Sequence, residues 1–142
     1  MDLTFAIDRL KARTTGLRTI GGAADLDAAF AGVVAVPSVF VIPLSDDPTP
    51  IDDTGPYEEW VTSLFGVVRA VSNARDARGD AAMAALVPVR QQVRAALAGW
   101  VPDEDTGEPV TPKGGRLLRF DGDGRLWWID QFARKTFFES TP

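Results

Sequence analysis

The chain contains neither cysteine nor histidine. The first absence rules out disulfides and thiolate metal sites. The second removes the commonest general base near neutral pH and the commonest metal ligand. Serine–histidine and cysteine–histidine catalysis are therefore excluded within this chain. Any catalytic reading has to rest on carboxylates, lysine or the single tyrosine, Tyr57. Long apolar runs are missing as well. The longest, Val33 to Leu44, is broken by Pro37, Ser38 and Pro43 and is too short to span a bilayer. Met1 to Leu10 carries acidic residues and no signal-peptide pattern. The expectation is a soluble protein made and used in a cytoplasm, with no membrane partner. There is no basic excess either: 20 acidic against 15 basic residues leave a net charge of -5. Such a surface favours solubility and repels DNA rather than neutralising its phosphates.

What is present fits a single domain, residues 1–142. A chain of this size buries roughly 70% of the surface it exposes when unfolded, so it needs no covalent staples. Asp2 is placed to cap a first helix, in which Leu3, Ile7 and Leu10 recur at helical spacing. Lys11 and Arg13 sit in its last turn, where the helix dipole favours cations, and Gly16 ends it. Leu17 to Ile20 reads as a short strand and Gly21-Gly22 as a turn. Asp25 is expected to cap a second helix through Ala31. Ser38 to Leu44 is a strand, with Pro43 marking an edge. Ser45 to Pro56, dense in proline and aspartate, is expected to be an exposed acidic loop.

Tyr57 to Ser72 reads as one long strand, about 50 Å at ~3.3 Å per residue. Gly66 is its expected bend point, and Ser38 to Leu44 its antiparallel partner. Asn73 to Asp80 is a polar turn. Asp80 opens the longest helix, about Ala81 to Ala98, with Leu86, Val89, Val93 and Leu97 as its buried stripe and Gly99 as its stop. Pro88 lies off the stripe, where it kinks the solvent side or separates a short first turn. Val101 to Gly115 is a second polar loop. Arg116 to Phe120, a turn at Asp121 to Gly124, and Arg125 to Glu139 form a closing hairpin. Its last strand is apolar on both faces, with Leu126, Trp128, Phe132 and Phe138 on one and Trp127, Ile129 and Phe137 on the other. Both faces must be covered, by helices and another subunit or by a sandwich. The fold class is α+β: a mainly antiparallel sheet of four to five strands, helices packed on one face, and a long projecting hairpin.

Six features invite a chemical reading. Asp121-Gly122-Asp123-Gly124 opens like a calcium loop, but Arg125 occupies the third ligand position, so a hairpin turn is preferred and no metal is expected. Gly21-Gly22 before a helix lacks the third glycine and the lysine of a nucleotide loop, so no cofactor is expected. Asp46, Asp47, Asp52 and Asp53 form either a solvated loop or one that binds a divalent cation or a basic partner. Trp60, Trp100, Trp127 and Trp128 serve core packing or a subunit interface. Arg69, Arg75 and Arg78 are solvated, paired with Asp76 and Asp80, or placed at an inter-subunit contact. Asp130 near Arg134 is the pair on which an enzymatic or ligand-binding reading would rest.

Taken together, five segments resemble tail terminator-like proteins of phages and prophages. FGVVRAVSNARDARGDAA (Phe65 to Ala82) resembles the family's long strand and the turn into its main helix. VRQQVRAALAGWVP (Val89 to Pro102) resembles that helix and its exit. GGRLLRFDGDGRLWWIDQF (Gly114 to Phe132) resembles the terminal hairpin, and PSVFVIPL (Pro37 to Leu44) the strand before the long one. The N-terminal helix followed by GGAADL (Gly21 to Leu26) fits the same order. The resemblance implies a non-enzymatic virion subunit at the tail–neck junction, assembled in the host cytoplasm. It implies a homohexameric ring that caps the tail tube, ends tail polymerisation and docks the head connector. The implied partners are other copies of the chain, the tail tube protein, a sheath protein, and a head–tail connector or stopper protein. DNA would pass through the lumen without specific binding. A head-completion or connector-stopper protein of the neck is the second structural reading. From this expectation, Asp46, Asp47, Asp52, Asp53, Trp60, Arg69, Arg75, Arg78, Trp128 and Phe138 are the candidate interface residues.

Overall fold

The computed structural model describes residues 1–32, 35–51, 54–72, 80–121 and 124–141. In chain order the elements are α1 (Thr4–Arg13), β1 (Thr19–Gly21), α2 (Ala23–Ala31), β2 (Ser38–Pro50), β3 (Glu58–Ser72), α3 (Asp80–Leu97), β4 (Thr111–Phe120) and β5 (Arg125–Glu139). The strands form one mixed sheet in the order β1-β2-β3-β5-β4. The long strand β3 is its spine, flanked antiparallel by β2 and β5 over almost its whole length. β1 runs parallel to β2, and parallel neighbours need a crossover, which α2 supplies.

Strand alternation decides what covers each face. Val39, Val41, Phe65, Val67, Val71, Leu126 and Phe132 point to one face, where they pack with Leu3, with Ala6 and Leu10 of α1 and with the buried stripe of α3. Their alternates, Phe40, Val68, Ala70, Trp127 and Ile129, point to the other and meet Leu26 and Ala29 of α2. Helices on one face, as read from the sequence, describes α1 and α3; α2 takes the opposite face. β5 therefore has both faces covered from within the chain between Leu126 and Ala133. The stripe Leu86, Val89, Val93 and Leu97 is buried as its spacing predicts, and Pro88 lies on the exposed side of a continuous helix. Gln92 fastens α3 to the end of α1 by accepting from Thr15 N at 2.8 Å and donating to Thr15 O at 3.1 Å.

Several boundaries differ from the sequence reading. Asp25 does not precede α2 but stands inside it, three residues after Gly22, and its carboxylate accepts from Gly22 N at 2.8 Å. The helix so begins three residues earlier, at Ala23. Asp2 lies two residues before α1, with Leu3 at the cap position, and its carboxylate accepts from Thr4 N at 2.9 Å. Ser45 to Pro50 is not loop but the outer half of β2, because β3 pairs with it out to Pro50↔Glu59. β4 begins at Thr111 rather than Arg116, since β5 pairs it that far. The sequence-predicted turn at 73–79 lies outside the described residues.

Candidate functional site

Beyond the helices, the sheet continues as an arm. Ser45–Pro50 of β2, Glu58–Leu64 of β3 and Arg134–Glu139 of β5 pair in register from Leu64↔Ala133 out to Glu58↔Glu139. The projecting hairpin expected from the sequence is thus three strands wide. Its outer half exposes Tyr57, Phe137 and Phe138, and Trp60 packs edge-on against Phe137 at 5.6 Å. No lysine or arginine occurs between Ser45 and Val68, whereas Asp46, Asp47, Glu58 and Glu59 do. The arm tip is therefore aromatic and acidic at once, a combination that favours contact with an apolar surface carrying cations. At the arm's base, Arg134 lies over the Phe5 ring at 4.1 Å, and Phe5 meets Phe65 edge-on at 5.7 Å.

The second feature is a charge cluster inside the fold. Arg69 is 0% exposed, although it stands in an otherwise apolar stretch of β3. Its Nη1 lies 2.6 Å from Asp130 Oδ2 and also donates to Val67 O at 3.0 Å. Asp130 is gripped from the other side by Arg90, whose Nη2 and Nε donate at 2.9 and 3.1 Å, and by Trp128 Nε1 at 3.1 Å. Arg90 stacks over the Trp128 ring at 4.6 Å. Gly115 makes this packing possible, since a Cβ there would stand 2.0 Å from Asp130 Oδ1 and 2.8 Å from Trp128 Nε1. Burial alone would raise the Asp130 carboxyl, but the Arg90 hydrogen bonds and the Arg69 charge outweigh it and hold the group below its usual range. Burial pushes Arg69 down to about 10, against the pull of Asp130, which leaves it cationic at neutral pH.

This arrangement differs from the one on which an enzymatic reading would rest. Arg134 is not the partner of Asp130. A carboxylate held ionised by two guanidiniums is also poorly suited to moving protons near pH 7. The cluster instead locks α3 to β3 and β5.

The third feature lies beside that cluster. α3 crosses the sheet over β3 and β5, which leaves the neighbouring part of β4 uncovered. A cleft of about 370 Å³ opens there, lined by Val87, Arg90, Arg94, Pro112, Asp130 and Phe132 among others. Val87, apolar and half exposed, stands on its α3 side, and Pro112 and Gly114 on its β4 side. Arg94 is exposed and pairs with no carboxylate among the described residues.

Of the interface residues proposed from sequence, Asp46, Asp47, Trp60 and Phe138 come together on the arm. Asp46 accepts from Ser63 Oγ at 2.6 Å across the strands. Trp128 stands apart from them, half buried beneath Arg90, while Trp127 fills the α2 face against Phe30 at 4.5 Å. Arg69 is a correction: it is neither solvated nor at a contact surface, because Asp130 draws it into the core. Asp52, Asp53, Arg75 and Arg78 lie outside the described residues, as does Asp123 of the closing turn. Asp121 of that turn accepts from Arg119 Nε at 2.6 Å and Trp127 Nε1 at 3.3 Å. Sequence reasoning missed Arg90 and Arg94; their four-residue spacing on one helix face, beside the apolar stripe, was the available signal.

Fold and surface describe an α+β structural domain that carries a strand-built arm and an arginine-lined cleft. The chain belongs to the phage tail terminator family, whose family model, Phage tail terminator protein, matches residues 1–141. Membership assigns it a structural role in the phage tail, in association with other tail components of the virion. No curated protein matches the chain. No helix among the described residues is long and apolar enough to cross a membrane.

Proposed function

We propose that this protein caps the finished tail tube as a ring of identical subunits, most simply a hexamer. In that place it stops tube polymerisation and presents a docking surface to the head connector at the neck. The observation that carries the reading is the family match over residues 1–141. The arm supports it: a closed ring needs a heterologous contact, in which one surface of a subunit meets a different surface of the next. An arm with exposed aromatics gives each subunit a means of reaching its neighbour. Asp46, Asp47, Trp60 and Phe138 are the proposed contact residues on it. The net charge of -5 suits a lumen through which DNA slides without sticking.

The test is negative-stain microscopy of the purified protein mixed with isolated tail tubes. Rings seated at one end of the tube, and tubes that no longer elongate, are expected. A protein that stays monomeric and never binds tube ends overturns the proposal. Binding to DNA-filled heads but not to tails would instead assign the chain to the neck as a connector stopper.

A further inference from the structure

We propose that the cleft between α3 and β4 is the receptor for the arm tip of the next copy of this chain. The inference rests on the ring reading and names the surface that such a ring would use. The cleft offers cations on an apolar frame: Arg94 without a carboxylate partner among the described residues, Arg90 at its floor, and Val87, Pro112 and Phe132 in its walls. The arm tip offers the complement, with Glu58 and Glu59 beside exposed Tyr57, Phe137 and Phe138. Both sets lie on one chain and cannot meet within it. Nine positions of β5 separate Asp130 at the cleft from Glu139, the partner of Glu58, which is about 30 Å of extended strand. The contact is therefore between copies, and it is heterologous, the kind that propagates around a ring. Arg90 has a second part here. Asp130 already takes two of its nitrogens, so it is fixed in place and shapes the cleft, while Arg94 is left to meet the incoming carboxylate.

The experiment measures self-association of the full chain by size exclusion with light scattering, across protein and salt concentrations. Three variants are compared with the wild type: Arg94→Glu, the pair Glu58→Arg with Glu59→Arg, and all three changes together. Arg94→Glu and the arm pair are each expected to weaken association about tenfold or more, and the combination to restore it, since both halves of every contact are then reversed. Added salt should weaken the wild type and the combination alike. Arg94 and both arm glutamates lie outside the core, so each variant's thermal unfolding is expected to match the wild type, which separates lost contact from lost fold. If the wild type assembles and Arg94→Glu assembles equally well, the cleft is not the receptor, and the ring reading stands without it. If Arg94→Glu disrupts assembly but the combination does not restore it, the arm is not the occupant and the proposal falls. A wild type that stays monomeric at every concentration, with and without tubes, sinks both readings.

Discussion

Asp130→Asn isolates the energetics of the charge cluster. In the wild type, one carboxylate faces two guanidiniums and an indole N–H. Asparagine keeps the shape but offers one oxygen, and its amide nitrogen then confronts donors on the other side. Arg69 is left as a buried cation without an anion, which costs about 3–5 kcal/mol. The Arg90 contact adds less than about 1 kcal/mol, because that side chain is 41% exposed and screened by water. The sum is about 4 kcal/mol, a large part of the roughly 5–15 kcal/mol that holds a domain folded. Urea unfolding followed by tryptophan fluorescence should show the midpoint falling by roughly 2 M, for a slope of about 2 kcal/mol/M. Adding Arg69→Met should then recover part of the loss. It removes the unpaired cation, along with Nε and Nη2, which have no hydrogen-bond partner among the described residues. A cost below about 1 kcal/mol for Asp130→Asn, or a double variant whose losses simply add, would refute the reasoning.

The same carboxylate sets a pH dependence. Its folded pKa lies below the unfolded value of about 3.9, so its contribution is complete above that pH and is lost as pH falls through the folded value. Acid unfolding curves should be steeper below about pH 4 for the wild type than for Asp130→Asn. Gly115→Ala should destabilise by about 1–3 kcal/mol, since the new Cβ meets the pinned Asp130 carboxylate and stands 3.0 Å from the Ile129 carbonyl oxygen. Gly66→Ala should cost less when the thermal unfolding of the two variants is compared, because it meets the Ile129 side chain, whose end can turn away. Leu97→Ala should cost about 2–5 kcal/mol by denaturant titration. Val87→Ala, at 53% exposure on the same helix, should stay within about 0.5 kcal/mol.

Much of the fold was legible where local pattern and tertiary demand agree. The stripe of α3 needs a 3.6-residue period and has one, and β5 from Arg125 to Glu139 alternates between two apolar sets as a strand covered on both faces must. The outer half of β2 was illegible for the opposite reason. Its prolines and aspartates carry loop propensity, and only the long partner β3 overrides it. The site was harder to read. Arg69 stood out as the one charge within GVVRAV, yet its counter-ion Asp130 comes from β5, at a sequence distance that no local pattern spans. That the closing strand's second face belongs to α2 followed from the β1–β2 crossover, which a three-residue strand hardly announces.

The prolines of β2 carry a final consequence for assembly. β1 pairs only with Ser38 to Phe40, so the outer edge of β2 beyond that point has no neighbouring strand among the described residues. An open edge invites strand addition by another chain. Pro43, Pro48 and Pro50 lie opposite Phe65, Val61 and Glu59, all odd-numbered positions of β3. The shift between Pro43 and Ser45 makes this possible, for without it Pro43 and the later prolines would fall on opposite parities. Ile51 N donates to Glu58 O at 2.9 Å, which sets the even positions as the hydrogen-bonded ones. The three prolines therefore occupy the places whose N–H would have pointed outward, and between Pro43 and Pro50 only Asp46 is left with a donor on that edge. The β2 edge is closed to ladder formation, so the arm is directed to contacts through its side chains. Replacing Pro48 and Pro50 with threonine should keep the fold, restore the donor row, and give concentration-dependent association that salt does not dissolve. Light scattering that shows no such association would mean that the prolines do not guard the edge.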